Sequence, residues 1–172
     1  KFNKNITTSG DKSLSIRWAL LACQSPYKSK SYNLLTSEDV LNTLSCLKKL
    51  GVKVRLTKKF CEIFGVGLNG YKYKKNLSLN AGNSGTLGRL IMGLLVHSKD
   101  SIKLKGDKSL SKRDFLRVSK PLEKFGAKFK TNSGKLPIHI NGTNNPLPIN
   151  YIETRGSAQC KSAVMLAALN TK

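Results

Sequence analysis

The segment Asn80-Ala81-Gly82-Asn83-Ser84-Gly85-Thr86-Leu87-Gly88-Arg89-Leu90-Ile91-Met92-Gly93-Leu94-Leu95-Val96 joins a glycine-rich polar loop to a nearly unbroken apolar run. Gly82 and Gly85 permit a tight turn, or the close approach of a ligand to the backbone. Ser84 or Thr86 can cap the following helix, whose first-turn N–H groups then favour an anion. The segment therefore predicts either a plain loop before a core helix or an anion-binding helix start. It matches neither a Walker loop nor a dinucleotide-binding fingerprint.

The composition indicates a folded protein with anionic ligands or partners. The 172 residues suffice for one medium domain or two small ones, and 39% hydrophobic content with 14 glycines is typical of an α/β protein. The formal net charge of +22 favours phosphates, carboxylates or nucleic acid as partners. The lysines are scattered singly and in pairs, so a genome-wide bias towards lysine is the alternative explanation.

The cysteine and histidine patterns predict neither a disulfide nor a metal site. The four cysteines lack Cys-x-x-Cys spacing and lie in apolar surroundings, which is typical of reduced core residues in a cytoplasmic protein. His97 and His139 are isolated. The longest apolar runs are too short to span a bilayer, and no signal peptide is predicted. The cysteines are Cys23, Cys46, Cys61 and Cys160.

A first set of predicted elements covers about residues 5–75. Hydrophobic periodicity and turn residues mark each element. The predicted elements are a polar loop over 10–17, an apolar helix over 18–23, a strand over 32–35, an amphipathic helix capped at Ser37 and ended by Gly51, and hairpin strands over 52–56 and 61–66.

The same order returns over residues 76–148 and begins again over 149–172. Pro121 is expected to kink or restart the second amphipathic helix. The predicted elements are a strand at 77–79, an apolar helix entered through 83–86, a strand over 101–105, an amphipathic helix opening at Ser111 with Phe115, Val118, Leu122 and Phe125 inward, hairpin strands over 127–130 and 138–140, and a last apolar helix entered through 156–159.

Sequence register supports a true internal repeat. The run from Leu47 to Val54 precedes its counterpart, from Leu122 to Phe129, by about 75 residues, and Arg17 precedes Arg89 by about 72. A βαβαββ unit therefore recurs, twice in full and once in part. The first helix of each unit is apolar nearly all round, which predicts three parallel buried helices inside a ring of sheets, with their N-termini at one place. The hexapeptide Gly-Asp-Lys-Ser-Leu-Ser, at 10–15 and again at 106–111, is out of this register and indicates either parallel chemistry or chance.

Four motifs, in order, carry a resemblance to a known family. They are Gly10-Asp11-Lys12-Ser13-Leu14-Ser15-Ile16-Arg17, Gly82-Asn83-Ser84-Gly85-Thr86 with Arg89, Ser109-Leu110-Ser111-Lys112-Arg113, and Ser157-Ala158-Gln159-Cys160-Lys161-Ser162. In these motifs the chain resembles the 5-enolpyruvylshikimate-3-phosphate (EPSP) synthase family, the 3-phosphoshikimate 1-carboxyvinyltransferases.

The resemblance implies an enolpyruvyltransferase-like α/β fold, an inside-out α/β barrel with two domains of three βαβαββ units each. Residues 1–172 would form one incomplete domain, with units over about 5–75, 76–148 and a truncated 149–172, and the second domain would be absent. The implied reaction transfers the enolpyruvyl (1-carboxyvinyl) group from phosphoenolpyruvate to the 5-hydroxyl of shikimate-3-phosphate and releases phosphate. It belongs to chorismate and aromatic amino acid biosynthesis and needs no metal or organic cofactor.

The resemblance also assigns site residues, with Lys12 as the catalytic lysine shared by both substrates. Ala158 stands where many members have a serine, so there only the backbone can serve. Asp39 is interpreted as a structural helix-cap residue. The residues assigned to shikimate-3-phosphate are Lys12, Ser13, Arg17, Ser157, Ala158 and Gln159, and those assigned to phosphoenolpyruvate are Lys12, Asn83, Gly85, Arg113 and Gln159.

The resemblance further implies an inhibitor and a missing partner. Gly85 leaves room beside the phosphoenolpyruvate pocket, so the intact enzyme should admit glyphosate. Because the C-terminal portion is missing, the isolated chain is expected to show negligible turnover. Two alternatives stay open: a UDP-N-acetylglucosamine enolpyruvyltransferase, and a basic nucleic-acid-binding module. The second is disfavoured because the aromatic residues fall mostly at core positions, and no basic run is interleaved with them.

Overall fold

The computed structural model describes residues 3–6 and 8–171, which contain five α-helices and seven strands. Two short 3-10 turns, Leu95–His97 and Leu110–Lys112, complete the regular structure of these residues. The elements in chain order are α1 (Lys12–Ala22), β1 (Lys28–Tyr32), α2 (Glu38–Lys49), β2 (Lys53–Leu56), β3 (Phe60–Phe64), β4 (Ser78–Asn80), α3 (Gly85–Leu94), β5 (Ile102–Lys105), α4 (Leu116–Glu123), β6 (Lys128–Asn132), β7 (Lys135–Asn141) and α5 (Ala158–Ala168).

The strands form two sheets, and the three strands of the first have the same arrangement as three of the four strands of the second. The first sheet has the order β1-β3-β2 and is antiparallel throughout. The second has the order β4-β5-β7-β6, in which β4 and β5 are parallel and the other pairs are antiparallel. In the first sheet, β3 lies between its hairpin partner β2 and strand β1, which follows α1. In the second sheet, β7 lies in the same way between its hairpin partner β6 and strand β5, which follows α3. This common topology confirms the predicted α/β fold with a repeated unit and both predicted hairpins.

Helix α3 is the centre of the core. All ten of its residues are buried, as the apolar pattern predicts. Its closest helical neighbour is α5, and a Cβ on Gly93 would lie 2.0 Å from the Ala163 carbonyl oxygen. Glycine is therefore required where these two helices meet.

The predicted burial on every side is wrong for α1 and α5. Leu14 and Leu21 on α1 are 68% and 54% exposed, and Met165 on α5 is 69% exposed. An open apolar groove runs between the two helices over Leu90 of α3. The described residues place neighbours against only one side of α1 and of α5, whereas α3 is enclosed by both helices and by the second unit.

The start of α1 and the position of β1 differ from the sequence prediction. Helix α1 begins at Lys12 and not near Trp18, because the Asp11 carboxylate caps its first turn. Strand β1 occupies residues 28–32 and not 32–35, because Asn33 has a φ of 56° and turns the chain. The candidate residues near position 12 therefore lie on a helix and not in a loop.

Helix α4 begins five residues later than predicted. Ser111 lies in the 3-10 turn. Helix α4 starts at Leu116, whose N–H donates a hydrogen bond to Asp114 Oδ1 at 2.7 Å. Pro121 lies inside α4, which continues to Glu123 and does not restart. At α2, Ser37 occupies the N-cap position but its side chain makes no capping hydrogen bond.

Across residues 3–6 and 8–171, the structure contains no helix with the length and hydropathy that a membrane crossing requires.

Candidate functional site

Three capped helix starts carry the candidate site residues. Asp11 Oδ1 accepts from Leu14 N at 2.7 Å in α1, and the Ser84 and Ser157 hydroxyls accept at 3.2 and 3.3 Å in α3 and α5. Each cap satisfies the third N–H of its helix and leaves the first two without an intrahelical acceptor. These starts therefore present partial positive charge and free N–H donors, which suit phosphate or carboxylate groups.

A side-chain link joins the starts of α3 and α5. Arg89 Nη1 donates to Gln159 Oε1 at 2.7 Å, and Gln159 Nε2 donates to Thr86 Oγ1 at 3.1 Å. Because both ends of the Gln159 amide are engaged by different partners, its orientation is fixed. The link brings the predicted site residue Gln159 to the start of α3.

Arg89 places a nearly uncompensated charge beside this link. It is 6% exposed, it packs 5.3 Å from the Phe115 ring centroid, and its buried Nε has no hydrogen-bond partner among the described residues. No ion pair to Arg89 occurs within residues 3–6 and 8–171. Burial lowers the pKa of Arg89, and the nearby positive charges of Arg117 and Arg113 lower it further. An anion at this position would relieve the repulsion among these charges.

The loop before α3 holds Arg113 through Asn83. Arg113 Nη2 donates to Asn83 Oδ1 at 3.3 Å, and Asn83 Nδ2 donates to Asp107 Oδ2 at 2.8 Å. The other Asp107 oxygen, Oδ1, accepts from Leu110 N at 2.7 Å. Two predicted site residues, Asn83 and Arg113, are therefore in direct contact.

Gly85 lies where two guanidinium groups converge. A Cβ at this position would lie 2.9 Å from Arg89 Nη1 and 3.0 Å from Arg113 Nη1. Glycine therefore allows both cations to approach the first turn of α3. Gly85, Arg89 and Arg113, together with Asn83 and Gln159, form a compact positive cluster.

Lys12 is held by a residue of α2. Its Nζ lies 3.1 Å from Asp39 Oδ2, and the two side chains are 52% and 19% exposed. Asn42, one turn later on α2, has its Nδ2 2.3 Å from the position that a Cβ on Gly82 would occupy. The start of α2 therefore contacts both the predicted catalytic lysine and the loop before α3, and the interpretation of Asp39 as purely structural missed its contact with Lys12.

The other predicted residues lie along α1 and the first turn of α5. Arg17 Nη1 donates to the Ser13 carbonyl at 3.4 Å, and the Arg17 side chain lines the apolar groove opposite Ser162. Ala158 is exposed on the first turn of α5, directly after the Ser157 cap. Within the part of the chain that the structure describes, no hydrogen bond joins Lys12, Ser13 or Arg17 to the cluster around Gly85.

Three residues of this network, Arg89, Thr86 and Asp107, were not among the predicted site residues. The sequence offered Thr86 only as an alternative helix cap, and the structure gives that cap to Ser84. A signal for Arg89 was available, because a buried arginine in an otherwise apolar helix requires partners. The described residues contain no group of three or more histidine, cysteine, aspartate or glutamate side chains that could hold a metal ion.

Comparison with known proteins gives consistent matches over nearly the whole chain. The family model for EPSP synthase (3-phosphoshikimate 1-carboxyvinyltransferase) matches residues 1–172. Two curated relatives, both named 3-phosphoshikimate 1-carboxyvinyltransferase, come from Vesicomyosocius okutanii subsp. Calyptogena okutanii (strain HA) and Ruthia magnifica subsp. Calyptogena magnifica. Each is 44% identical, over 96% and 95% of this chain, respectively.

A solved structure of the EPSP synthase from Acinetobacter baumannii matches with a TM-score of 0.91 and 36% identity over 97% of this chain. The chain covers 38% of that structure, and 38% and 37% of the two curated relatives. It therefore spans well under half the length of the proteins that it matches. The family model, the relatives and the fold agree, and the chain belongs to the EPSP synthase family.

Proposed function

We propose that this chain supplies one part of an active site that transfers the enolpyruvyl group of phosphoenolpyruvate to the 5-hydroxyl of shikimate-3-phosphate. The observation that carries the proposal is the convergence of Arg89 and Arg113 on Gly85 at the start of α3. Two cations held this close, without an ion-pair partner for the buried one among the described residues, favour a multiply charged anion. Phosphoenolpyruvate carries both a phosphate and a carboxylate.

The cluster around Gly85 suits phosphoenolpyruvate. Arg113 is exposed, so its guanidinium can form a bidentate contact with phosphate or carboxylate. Asn83 orients that guanidinium, and the free N–H groups at the start of α3 add donors. Gln159 extends the polar surface towards α5.

The starts of α1 and α5 suit shikimate-3-phosphate. Ser13, Arg17 and Ser157 offer hydroxyl, guanidinium and backbone donors to its phosphate and carboxylate groups, and Ala158 contributes only its backbone N–H. Lys12 stands at the start of α1, where its ammonium group can offset the charge of both substrates.

The reaction forms a carbon–oxygen bond between the substrate 5-oxygen and C2 of phosphoenolpyruvate, while the hydroxyl loses its proton and C3 gains one. Loss of a proton from the resulting C3 methyl group, together with loss of phosphate from the tetrahedral intermediate, then restores the double bond. Lys12 can stabilise the developing charge and assist proton transfer. The resemblance assigns the remaining acid–base groups to the part of the family that lies beyond the matched segment, and that segment is 38% of one relative and 37% of the other. Residues 1–172 alone are therefore proposed to have negligible turnover.

The test uses a fusion enzyme, in which residues 1–172 are joined to the part of the Vesicomyosocius okutanii relative that follows its matched segment. The expected result is phosphate release that requires both shikimate-3-phosphate and phosphoenolpyruvate and that glyphosate inhibits. The Lys12→Met variant should abolish it, and the unfused chain should not show it. Turnover by the purified chain alone would contradict the proposed dependence on the C-terminal portion.

The same enzyme tests the two alternatives. Phosphate release with UDP-N-acetylglucosamine as acceptor, and none with shikimate-3-phosphate, would support the sister transferase. Salt-dependent binding of random DNA without binding of shikimate-3-phosphate would support a nucleic-acid-binding module. We also propose that the protein is cytoplasmic, which fractionation of the cells that produce it naturally would test.

A further inference from the structure

The two copies of Gly-Asp-Lys-Ser-Leu-Ser fold into the same capped turn. In each copy the aspartate Oδ1 accepts from the N–H three residues later at 2.7 Å, from Leu14 to Asp11 and from Leu110 to Asp107. The backbone N–H of the last serine also donates to the aspartate carbonyl in both copies, at 3.0 and 2.9 Å. The duplicated letters therefore encode one local structure, placed at two different positions of the fold.

The second copy has a contact that the first lacks. Asp107 Oδ2 accepts from Asn83 Nδ2 at 2.8 Å, whereas the Asp11 carboxylate accepts only from Leu14 N within the described residues. The Asp107 N–H also donates to the Gly82 carbonyl at 2.8 Å, so backbone and side chain both tie this turn to the loop before α3.

We propose that Asp107 is a positioning residue for phosphoenolpyruvate binding. A side-chain amide has one donor end and one acceptor end, so the partner that takes the donor end fixes where the oxygen points. Asp107 takes the NH2 group of Asn83, and the Asn83 oxygen therefore faces Arg113. This inference rests on the proposed function, because it assigns Asp107 to the same anion cluster.

The hydrogen bond that Arg113 donates to Asn83 matters because no other hydrogen bond among the described residues holds the Arg113 side chain. Arg113 is exposed, and its side chain makes one hydrogen bond within residues 3–6 and 8–171, the bond to Asn83. A long side chain that must be ordered on binding loses conformational entropy, and prior orientation by Asn83 reduces that cost. Asp107 therefore acts on the Arg113 guanidinium indirectly, by holding the Asn83 amide that contacts it.

The charge of Asp107 and its positioning role predict opposite changes in phosphoenolpyruvate binding when the carboxylate is neutralised, which makes the proposal testable. Asp107 is a negative charge next to a cluster that is proposed to bind an anion. On charge alone, neutralising it would strengthen phosphoenolpyruvate binding. If Asp107 positions Arg113 through Asn83, neutralising it weakens that binding.

The experiment compares Asp107→Ser and Asp107→Asn in the fusion enzyme. Serine can still cap Leu110, but it is too short to reach Asn83. Asparagine has a single side-chain oxygen, so it can accept either from Leu110 N or from Asn83 but not from both. The expected result for both is a KM for phosphoenolpyruvate raised about tenfold, the effect of one lost hydrogen bond to a charged partner. The KM for shikimate-3-phosphate should stay within about twofold, as expected for a contact on the phosphoenolpyruvate side alone.

A matched control and a double-variant cycle separate positioning from charge and folding. Asp114→Asn also removes one negative charge, at the residue that follows Arg113. The Asp114 carboxylate caps Leu116 and has no hydrogen bond with Asn83 among the described residues. This variant should leave the KM for phosphoenolpyruvate unchanged or lower it. In an Asn83→Ala background, Asp107→Ser should have no further effect.

Each outcome decides the matter. An unchanged or lowered KM for phosphoenolpyruvate in both Asp107 variants, or effects that add fully to Asn83→Ala, would refute the positioning role and leave the proposed function standing. A wild-type fusion enzyme that is folded and inactive would refute the proposed function, and the positioning role with it.

Discussion

Arg89 and Gln159 are 70 residues apart in the chain, and their side chains meet at 2.7 Å between Nη1 and Oε1. The contact bridges the starts of α3 and α5, and its donor is a buried guanidinium that has no carboxylate partner among the described residues. It places a fixed positive charge at the point where two helix starts already favour an anion.

Replacing Arg89 by lysine tests whether geometry or charge matters at this point. Lysine keeps the charge but loses the planar fork that reaches both Gln159 and the Asp114 carbonyl. We expect the KM of the fusion enzyme for phosphoenolpyruvate to rise by about tenfold or more, because a buried charged hydrogen bond is lost. Arg117→Lys, at an exposed neighbouring arginine, is the control and should change it little. Equal effects of the two variants would contradict the assigned role of Arg89.

Gly85→Ala should reduce inhibition by glyphosate. The added methyl group would meet the guanidinium ends of both Arg89 and Arg113 at 3.0 Å or less, so both must move away from the start of α3. Because glyphosate is proposed to occupy the phosphoenolpyruvate pocket, the displaced cations would bind it less well. Inhibition curves at fixed phosphoenolpyruvate measure the change, and identical curves for the two enzymes would refute the prediction.

Asp39→Asn should lower turnover with little loss of stability. The Lys12–Asp39 pair is partly exposed, so breaking it costs about 1 kcal/mol or less of folding free energy. Without the carboxylate, the Lys12 ammonium is no longer held at the start of α1, and kcat should fall. Glu38→Gln is a matched control, because Glu38 lies in the same first turn of α2 and is exposed. A lower Tm with unchanged kcat would assign Asp39 to folding alone.

Glu62 should make the stability of the chain sensitive to acid. Its side chain is 3% exposed, and its carboxylate accepts from Arg55 Nε at 2.7 Å. Burial by itself raises the pKa of Glu62, but the hydrogen bond and charge of Arg55 and the charges of Lys28 and Lys30 outweigh it, and the pKa lies below its ordinary value of 4.5.

The unfolded state therefore binds the proton more readily than the folded state. The stabilisation is fully present above the ordinary value and is lost as the pH falls through the lowered pKa. Urea unfolding between neutral pH and the acid range should show a decline that is smaller in Glu62→Gln. Glu123→Gln, at an exposed position, serves as the control. Parallel declines in wild type and Glu62→Gln would contradict the assignment.

The buried thiols should resist alkylation in the folded chain. Burial raises the pKa of Cys23 and of Cys46 to about 11, and it also raises the pKa of Cys61. At pH 8 the thiolate fraction of a group with that pKa is about one in a thousand, and burial blocks access as well. Mass spectrometry after a short iodoacetamide pulse should find these three cysteines unmodified until urea is added. Rapid modification of any of them in the native chain would contradict the burial.

Local chemistry made part of the structure readable from the sequence. The α3 helix, with its Ser84 cap, and the two hairpins follow from apolar periodicity and turn residues, which act between near neighbours. Strand β1 was misplaced because its Lys-Ser-Lys-Ser-Tyr sequence lacks an apolar face. Its serines are half-buried and its lysines exposed, so alternation is present without the hydrophobic signal that normally reveals it.

The contacts of the candidate site could not be read in the same way. Arg89 with Gln159, and Asn83 with Asp107, are pairs whose members come from different units or elements, and no local pattern encodes them. The family resemblance supplies the residue roles, which stay predictions, but it does not say which neighbour holds each side chain. Those neighbours come from tertiary packing around α3.

The twin hexapeptides also bear on the evolutionary history of the fold. Because identical letters build identical capped turns at non-equivalent places, an internal alignment driven by local identity would pair the wrong segments and slide one unit along the other. Ancestral reconstruction of the duplicated unit should therefore be anchored on the apolar helices and the hairpins. The shared hexapeptide marks a recurring capped turn, and its two copies do not mark corresponding positions of the repeated unit.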